Sequence, residues 1–273
     1  MRSFVYQSAS KFLFSSFVIF LLFFLGQGLQ SHAVDNQEAQ EQEVERVQMD
    51  RGLYPVISES DLYCSFFVLE GESPAIKIVG AEKANERVLL TDSDIVRIDK
   101  GQKDGLEVGQ IFLILEIGPK IKNFGHLAIK RGRARIVYLE ESQALAEVEK
   151  SCGQVIIGNY LVPFEEKEGL LGKDLGYNVP PREGEGLKGE IVYLQREYTQ
   201  LGSGHWAIID VGEEDGVYVG QQLVIYKKAE KGEPFKIIGN CIIIDTREKT
   251  STMKVLSCND PIRLGHHVQT RLQ

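Results

Sequence analysis

The segment Asp99–Ile114, Asp-Lys-Gly-Gln-Lys-Asp-Gly-Leu-Glu-Val-Gly-Gln-Ile-Phe-Leu-Ile, returns as Asp210–Ile225, Asp-Val-Gly-Glu-Glu-Asp-Gly-Val-Tyr-Val-Gly-Gln-Gln-Leu-Val-Ile, with eight of sixteen positions identical at an offset of 111. Upstream, Leu90 and Ile95–Asp99 match Leu201 and Ala207–Asp210; downstream, Gly132–Gly158 matches Gly239–Gly265 without a gap at an offset of 107. The first copy therefore holds four extra residues between the two matched blocks. Register kept on both sides of an insertion implies duplication of a whole folding unit, so the chain must build one small fold twice.

Each copy reads as strands. Ile95-Val-Arg-Ile and Trp206-Ala-Ile-Ile are short apolar, β-branched runs that end at glycine-containing turns. In Asp104-Gly105 and Asp215-Gly216 an Asx-type turn precedes a residue free to take positive φ. Gly101, Gly109, Gly212 and Gly220 punctuate the same turn in both copies. Apolar strands follow at 111–115 and 223–226, then hairpins Ala134–Leu139/Ala144–Val148 and Cys241–Thr246/Thr252–Leu256. Five or six short strands in so short a copy cannot make two well-covered sheets, which predicts a closed or nearly closed barrel. The fold class is all-β, with two small tandem barrel-like domains at 55–163 and 188–273.

Residues 164–187 have the composition of a polar linker: Glu165-Glu-Lys-Glu-Gly, Pro180-Pro181 and Gly184-Glu-Gly surround a few apolar residues able to dock on a barrel. Residues 1–33 join a basic start, an apolar run Phe12–Leu25 and the small residues Ser31 and Ala33, the pattern of a signal peptide cut after Ala33. The alternative is an uncleaved anchor, since the run falls just short of the roughly 20 residues that span a bilayer. The Gln- and Glu-rich stretch 34–54 reads as a soluble tether. No later run is apolar for long enough to predict a membrane span.

Export brings charge and cysteine into the argument. Without residues 1–33 the chain carries 29 basic and 39 acidic side chains, and its longest basic cluster, Lys130-Arg131-Gly132-Arg133, would be split between two faces of a strand. A nucleic-acid partner, which needs a concentrated basic surface, is excluded. Cys64, Cys152, Cys241 and Cys258 make an even count suited to an oxidising compartment and admit three connectivities. Cys241 and Cys258 flank the second hairpin symmetrically about a centre between Lys249 and Thr250, which predicts Cys241–Cys258 across the ladder and leaves Cys64–Cys152 for the first domain.

With the turn motif Asp99-x-Gly-x-x-Asp-Gly-x-x-x-Gly-Gln and its copy from Asp210, the repeats resemble the β-domains that accompany LysM peptidoglycan-binding modules in exported bacterial proteins. They are also similar to the carboxy-terminal domain of flagellar assembly protein T. The entry strand Ile76–Glu82, leading to Leu89-Leu90 and Asp94, fits the same pattern. The resemblance implies a periplasmic or envelope location and a scaffold or binding role.

No catalytic constellation organises itself. Asp99, Asp104, Asp210 and Asp215 lack the alternating oxygen ligands of a calcium loop, and Lys100 and Lys103 sit inside the first copy, so they read as turn residues. His266 and His267 point to opposite strand faces, so at most one can join His205, and a zinc site lacks its third ligand. Trp206, opposite Ile95 of the other copy, reads as a packing residue and is the one candidate for a binding surface. The expectation is a non-enzymatic envelope scaffold without cofactor or metal, engaging a flagellar, secretion or cell-wall assembly. Direct peptidoglycan or carbohydrate binding is the alternative. A metal-assisted hydrolase using Asp99, Asp210 and the histidines is the third reading.

Overall fold

The computed structural model describes residues 52–82, 89–178, 186–228 and 235–270, so the expected signal peptide and nearly all of the tether lie outside the described residues. In chain order it holds β1 (Tyr54–Ile57), a one-turn helix (Glu59–Tyr63), β2 (Phe66–Leu69), β3 (Ile76–Ala81), β4 (Ile95–Ile98), β5 (Ile111–Ile121), β6 (Gly125–Leu139), β7 (Ala144–Ser151) and β8 (Tyr160–Pro163). There follow β9 (Leu170–Gly172), β10 (Lys188–Leu194), β11 (Trp206–Ile209), β12 (Gln222–Lys227), β13 (Lys236–Thr246), β14 (Ser251–Cys258) and β15 (His267–Thr270).

Two six-stranded barrels result. The first closes in the order β3-β4-β7-β6-β5-β8, with β8 returning to β3; the second closes as β10-β11-β14-β13-β12-β15, with β15 returning to β10. The strands of both barrels pair antiparallel, and the order is the same in both, so the sequence duplication is a duplication of topology. Corresponding positions fill the interiors: Ile98, Ile114, Ala134, Ile136, Val148 and Leu161 in one barrel, Ile209, Ile225, Cys241, Ile243, Val255 and Val268 in the other. Alternation of side chains along each strand sends these inward and their neighbours out.

The two copies differ on the outside. Opposite Arg135-Ile136-Val137, where the outward residues are polar or exposed, the second copy has Ile242-Ile243-Ile244, buried throughout. A strand apolar on both faces is covered on both faces. Ile242 and Ile244 lie under Val56, Ile57 and Leu62, from β1 and the one-turn helix. The four-residue excess of the first copy belongs to the long β5–β6 hairpin, whose far end pairs with β2. Phe66 and Val68 of β2, with Ile121 and Leu127 of the hairpin, pack on Tyr193 and Ile208, on the outer face of the second barrel. The stretch expected as a linker is ordered over its described part: β9 pairs with β1, and Gln222 donates to the Lys173 carbonyl at 2.7 Å. Ser257 donates to Asp174 at 2.8 Å.

Candidate functional site

The repeated turn residues hold the barrels shut. Asp99 accepts the Lys77 amide at 2.8 Å, and Asp210 accepts the Glu190 amide at 2.6 Å, each joining a turn to the entry strand of its barrel. Asp104 and Asp215 each accept the amide three residues back, from Gly101 and Gly212, at 3.0 Å. Gly101 and Gly212 press against the β6–β7 and β13–β14 hairpin tips, where an added Cβ would lie 2.5 Å from the Glu140 carbonyl oxygen and 2.3 Å from that of Arg247. Gly105 and Gly216 take φ of 83° and 82°, and Gly109 and Gly220 take 90° and 91°. These ten residues do the same work twice, and all four carboxylates are engaged by backbone amides.

The remaining expected residues fall at scattered places. Cys64 and Cys152 are bridged. Cys241 and Cys258 are both free, which corrects the second expected disulfide. The symmetric spacing placed the hairpin centre between Lys249 and Thr250, whereas Thr246 pairs with Ser251 and the turn between them is centred one position earlier, between Glu248 and Lys249. That register sets Cys258 opposite Gly239, and two compensating irregularities set Cys241 opposite Val255, so the two thiols are not cross-strand partners. Cys241 is wholly buried in the barrel core, and burial pushes its thiol pKa up. His266 is a turn residue: its Nδ1 accepts the Arg263 amide at 3.2 Å, as Asn159 Oδ1 accepts the Ile156 amide at 2.9 Å in the other copy. Trp206 is half-buried, edge-on to Phe66, and its indole donates to Asp61 at 2.8 Å.

That last contact leads to a site the motifs do not announce. Ser58 caps the one-turn helix and, with Asp61, forms a capping box. Asp61 is 3 % exposed and accepts from Lys254 Nζ at 2.7 Å as well as from Trp206 and the Ser58 amide. Burial alone would raise its pKa, but Lys254, the Ser58 amide, the Trp206 indole and the Ser58 hydroxyl together hold the carboxyl below the usual range. On the other side of the helix, Lys130 Nζ donates to the Leu62 carbonyl at 2.7 Å, Ser65 Oγ at 3.3 Å and Asp245 Oδ2 at 3.0 Å. Desolvation lowers the Lys130 pKa, Asp245 works against that, and Arg247 and Lys167 add to the lowering.

Beside this ion pair lies a cleft of about 270 Å³ at the seam between the barrels. Its apolar wall comes from Phe67 of β2 and from Leu113, Leu115 and Val162 on the outer face of the first barrel; its charged edge comes from Lys130, Lys167, Asp245 and Arg247. The Arg247 guanidinium stacks 3.8 Å from the Phe67 ring centroid. Arg247 Nη2 donates to Asp245 Oδ2 at 3.3 Å, while Nε lies 3.0 Å from Oδ1 without hydrogen-bond alignment. Tyr63 and Phe164, 5.0 Å apart, divide this cleft from a second of about 140 Å³ beside the disulfide. The Tyr63 hydroxyl donates to the Lys167 carbonyl at 2.7 Å, pinning the strap that crosses there.

Sequence reasoning missed Lys130, Asp245, Arg247, Asp61 and Lys254. A signal was present, in where the copies disagree: Ile237 stands in place of Lys130, Tyr138 in place of Asp245, Glu140 in place of Arg247 and Glu147 in place of Lys254. Positions that match build the barrels, and these mismatches meet at the seam. Compared with known proteins, the chain matches no family model, and no curated protein is similar to it at a significant level.

Proposed function

We propose that the chain is a non-enzymatic binding protein of the cell envelope, in which two barrels held as one body engage a larger envelope assembly such as a flagellar, secretion or cell-wall complex. The observation that carries the reading is the seam. Pro55–Gln273 forms one compact unit, and the copies have diverged where they meet, around a cleft, while their repeated acidic residues serve turns. The Cys64–Cys152 bridge supports an oxidising compartment such as the periplasm. A rigid pair of modules presents two surfaces at fixed spacing, so engaging both raises avidity without an ordering cost on binding. Crosslinking in whole cells followed by capture from membrane fractions is expected to recover an envelope protein joined to this chain; a chain that stays free and monomeric would sink the reading.

Direct glycan binding is the second reading, and one feature favours it. Tyr226, Phe235 and His267 form a half-buried aromatic cluster on the second barrel, with ring centroids 5.4–5.5 Å apart. Aromatic faces of this kind stack on apolar and sugar surfaces. Sedimentation with purified sacculi should carry the chain down, and Tyr226→Ala should release it; no co-sedimentation would dismiss the reading.

A further inference from the structure

The 270 Å³ cleft combines a closed apolar wall with donors that the fold leaves unengaged. Asp245 is shared by Lys130 and Arg247, and Lys130 already has three acceptors. Arg247 keeps Nη1 clear of Asp245, and the exposed Lys167 amino group has no hydrogen bond or ion pair among the described residues. Three cations thus face two carboxylates, Asp245 and Glu165, beside the half-buried side chains of Leu113 and Val162. From this geometry we infer that the cleft binds a small amphipathic anion, a carboxylate carrying one aromatic or branched apolar group. Its apolar group would lie along Leu113 and Val162, and its carboxylate would take the free donors of Arg247 and Lys167.

Each part of that statement has a physical reason. Ligand sites are mostly apolar, with a few convergent polar groups that fix orientation, and this volume lies just below their usual range, suited to one ring rather than a lipid or a nucleotide. A planar guanidinium stacked on a ring is held in place, so an incoming carboxylate meets a preorganised donor. Excess positive charge beside a desolvated wall favours an anion over its neutral isostere. The apolar wall comes from the first barrel and Arg247 from the second, so the ligand would touch both. The inference stands independently of the envelope reading.

The test uses the full chain with its disulfide intact, titrated calorimetrically at low salt with 3-phenylpropionate, its neutral amide 3-phenylpropanamide, and propionate. For a ligand of this size we expect 3-phenylpropionate to bind with a dissociation constant of about a millimolar or tighter. The amide should bind about tenfold more weakly, because hydrogen bonds to a charged group are lost, and propionate should give no measurable heat. Lys167→Gln, at an exposed position, should weaken 3-phenylpropionate by about fivefold and leave the melting temperature unchanged. Val162→Trp should fill the cleft and abolish binding, with an unchanged far-ultraviolet spectrum showing that the barrel still forms. Equal affinity for acid and amide, no response to Lys167→Gln, or no saturable binding would overturn the proposal. So would binding confined to a peptide ending in a free phenylalanine carboxylate, since the site would then belong to a protein terminus.

Discussion

At the residue scale, the least expected feature is a lysine with 6 % of its side chain exposed, paired to an aspartate with 4 % exposed, outside either barrel core. Removing one member of a buried pair leaves an uncompensated charge, which typically costs about 3–5 kcal/mol. Lys130→Met is therefore expected to destabilise by about 3 kcal/mol in urea denaturation, with Asp245→Leu in the same chain recovering most of the loss. His266 offers a pH-dependent counterpart. Burial lowers its pKa first, with Lys227 and Arg263 adding to the effect, and its Nδ1 must stay unprotonated to accept the Arg263 amide. Above the ordinary value of 6.5 both folded and unfolded chains hold the ring neutral; as pH falls below it the unfolded chain takes the proton first, so stability is lost until pH passes the lowered folded value. His266→Asn, which installs the residue of the first copy, should flatten that part of a melting-temperature profile measured from pH 7.5 to pH 5. An unchanged slope would mean that other groups set it.

At the element scale, the turns were the most legible part of the chain. Turn chemistry is local, and a duplicated Asp-Gly at fixed spacing reports it directly. The two kinds of glycine in the motif should nonetheless respond differently. A Cβ at Gly101 would meet the backbone of Glu140 and Gln143 at 2.5 Å, whereas one at Gly105 meets nothing within 4 Å and suffers only from φ of +83°. Gly101→Ala should cost up to about 3 kcal/mol through overpacking of the hairpin tip, and Gly105→Ala about 1 kcal/mol through backbone strain. Equal losses in urea denaturation would show that the hairpin contact is not what the first glycine serves. The β13–β14 register was the least legible element. Spacing about a turn predicts partners only when the centre of the turn is known, and the β13–β14 turn, closed by Thr246 opposite Ser251, is centred one residue before the midpoint of Cys241 and Cys258. Register answers to which side chains the barrel core takes in, here Ile243, Met253 and Val255, and the spacing of two cysteines does not display that.

At the scale of the whole molecule, one covalent tie holds the helix segment to the first barrel. Cys64–Cys152 closes a separation of 88 residues, so its reduction should lower stability by about 4 kcal/mol, read as the difference in denaturation midpoint with and without reductant. Thiol titration of the unreduced chain should find two reactive groups after unfolding, and only the half-buried Cys258 before it, because Cys241 is fully enclosed. A count of zero after unfolding would restore the second bridge. The same helix carries Asp61, which Trp206 and Lys254 hold from the second barrel, and the Leu62 carbonyl, which Lys130 holds from the first. The sequence by itself determined the duplication, the barrel-forming strands and the turns, because alternation, β-branching and Asp-Gly chemistry act between near neighbours. Only the tertiary structure decided that β1 and the helix cover the outer face of Ile242 and Ile244, that β2 and the long hairpin dock on Tyr193 and Ile208, that the linker lies down as a strap, and that Lys130, Asp245 and Arg247 gather at one cleft. Those outcomes follow from apolar surface that one barrel leaves uncovered and from charges that burial forces to pair, and both depend on residues far apart in the chain.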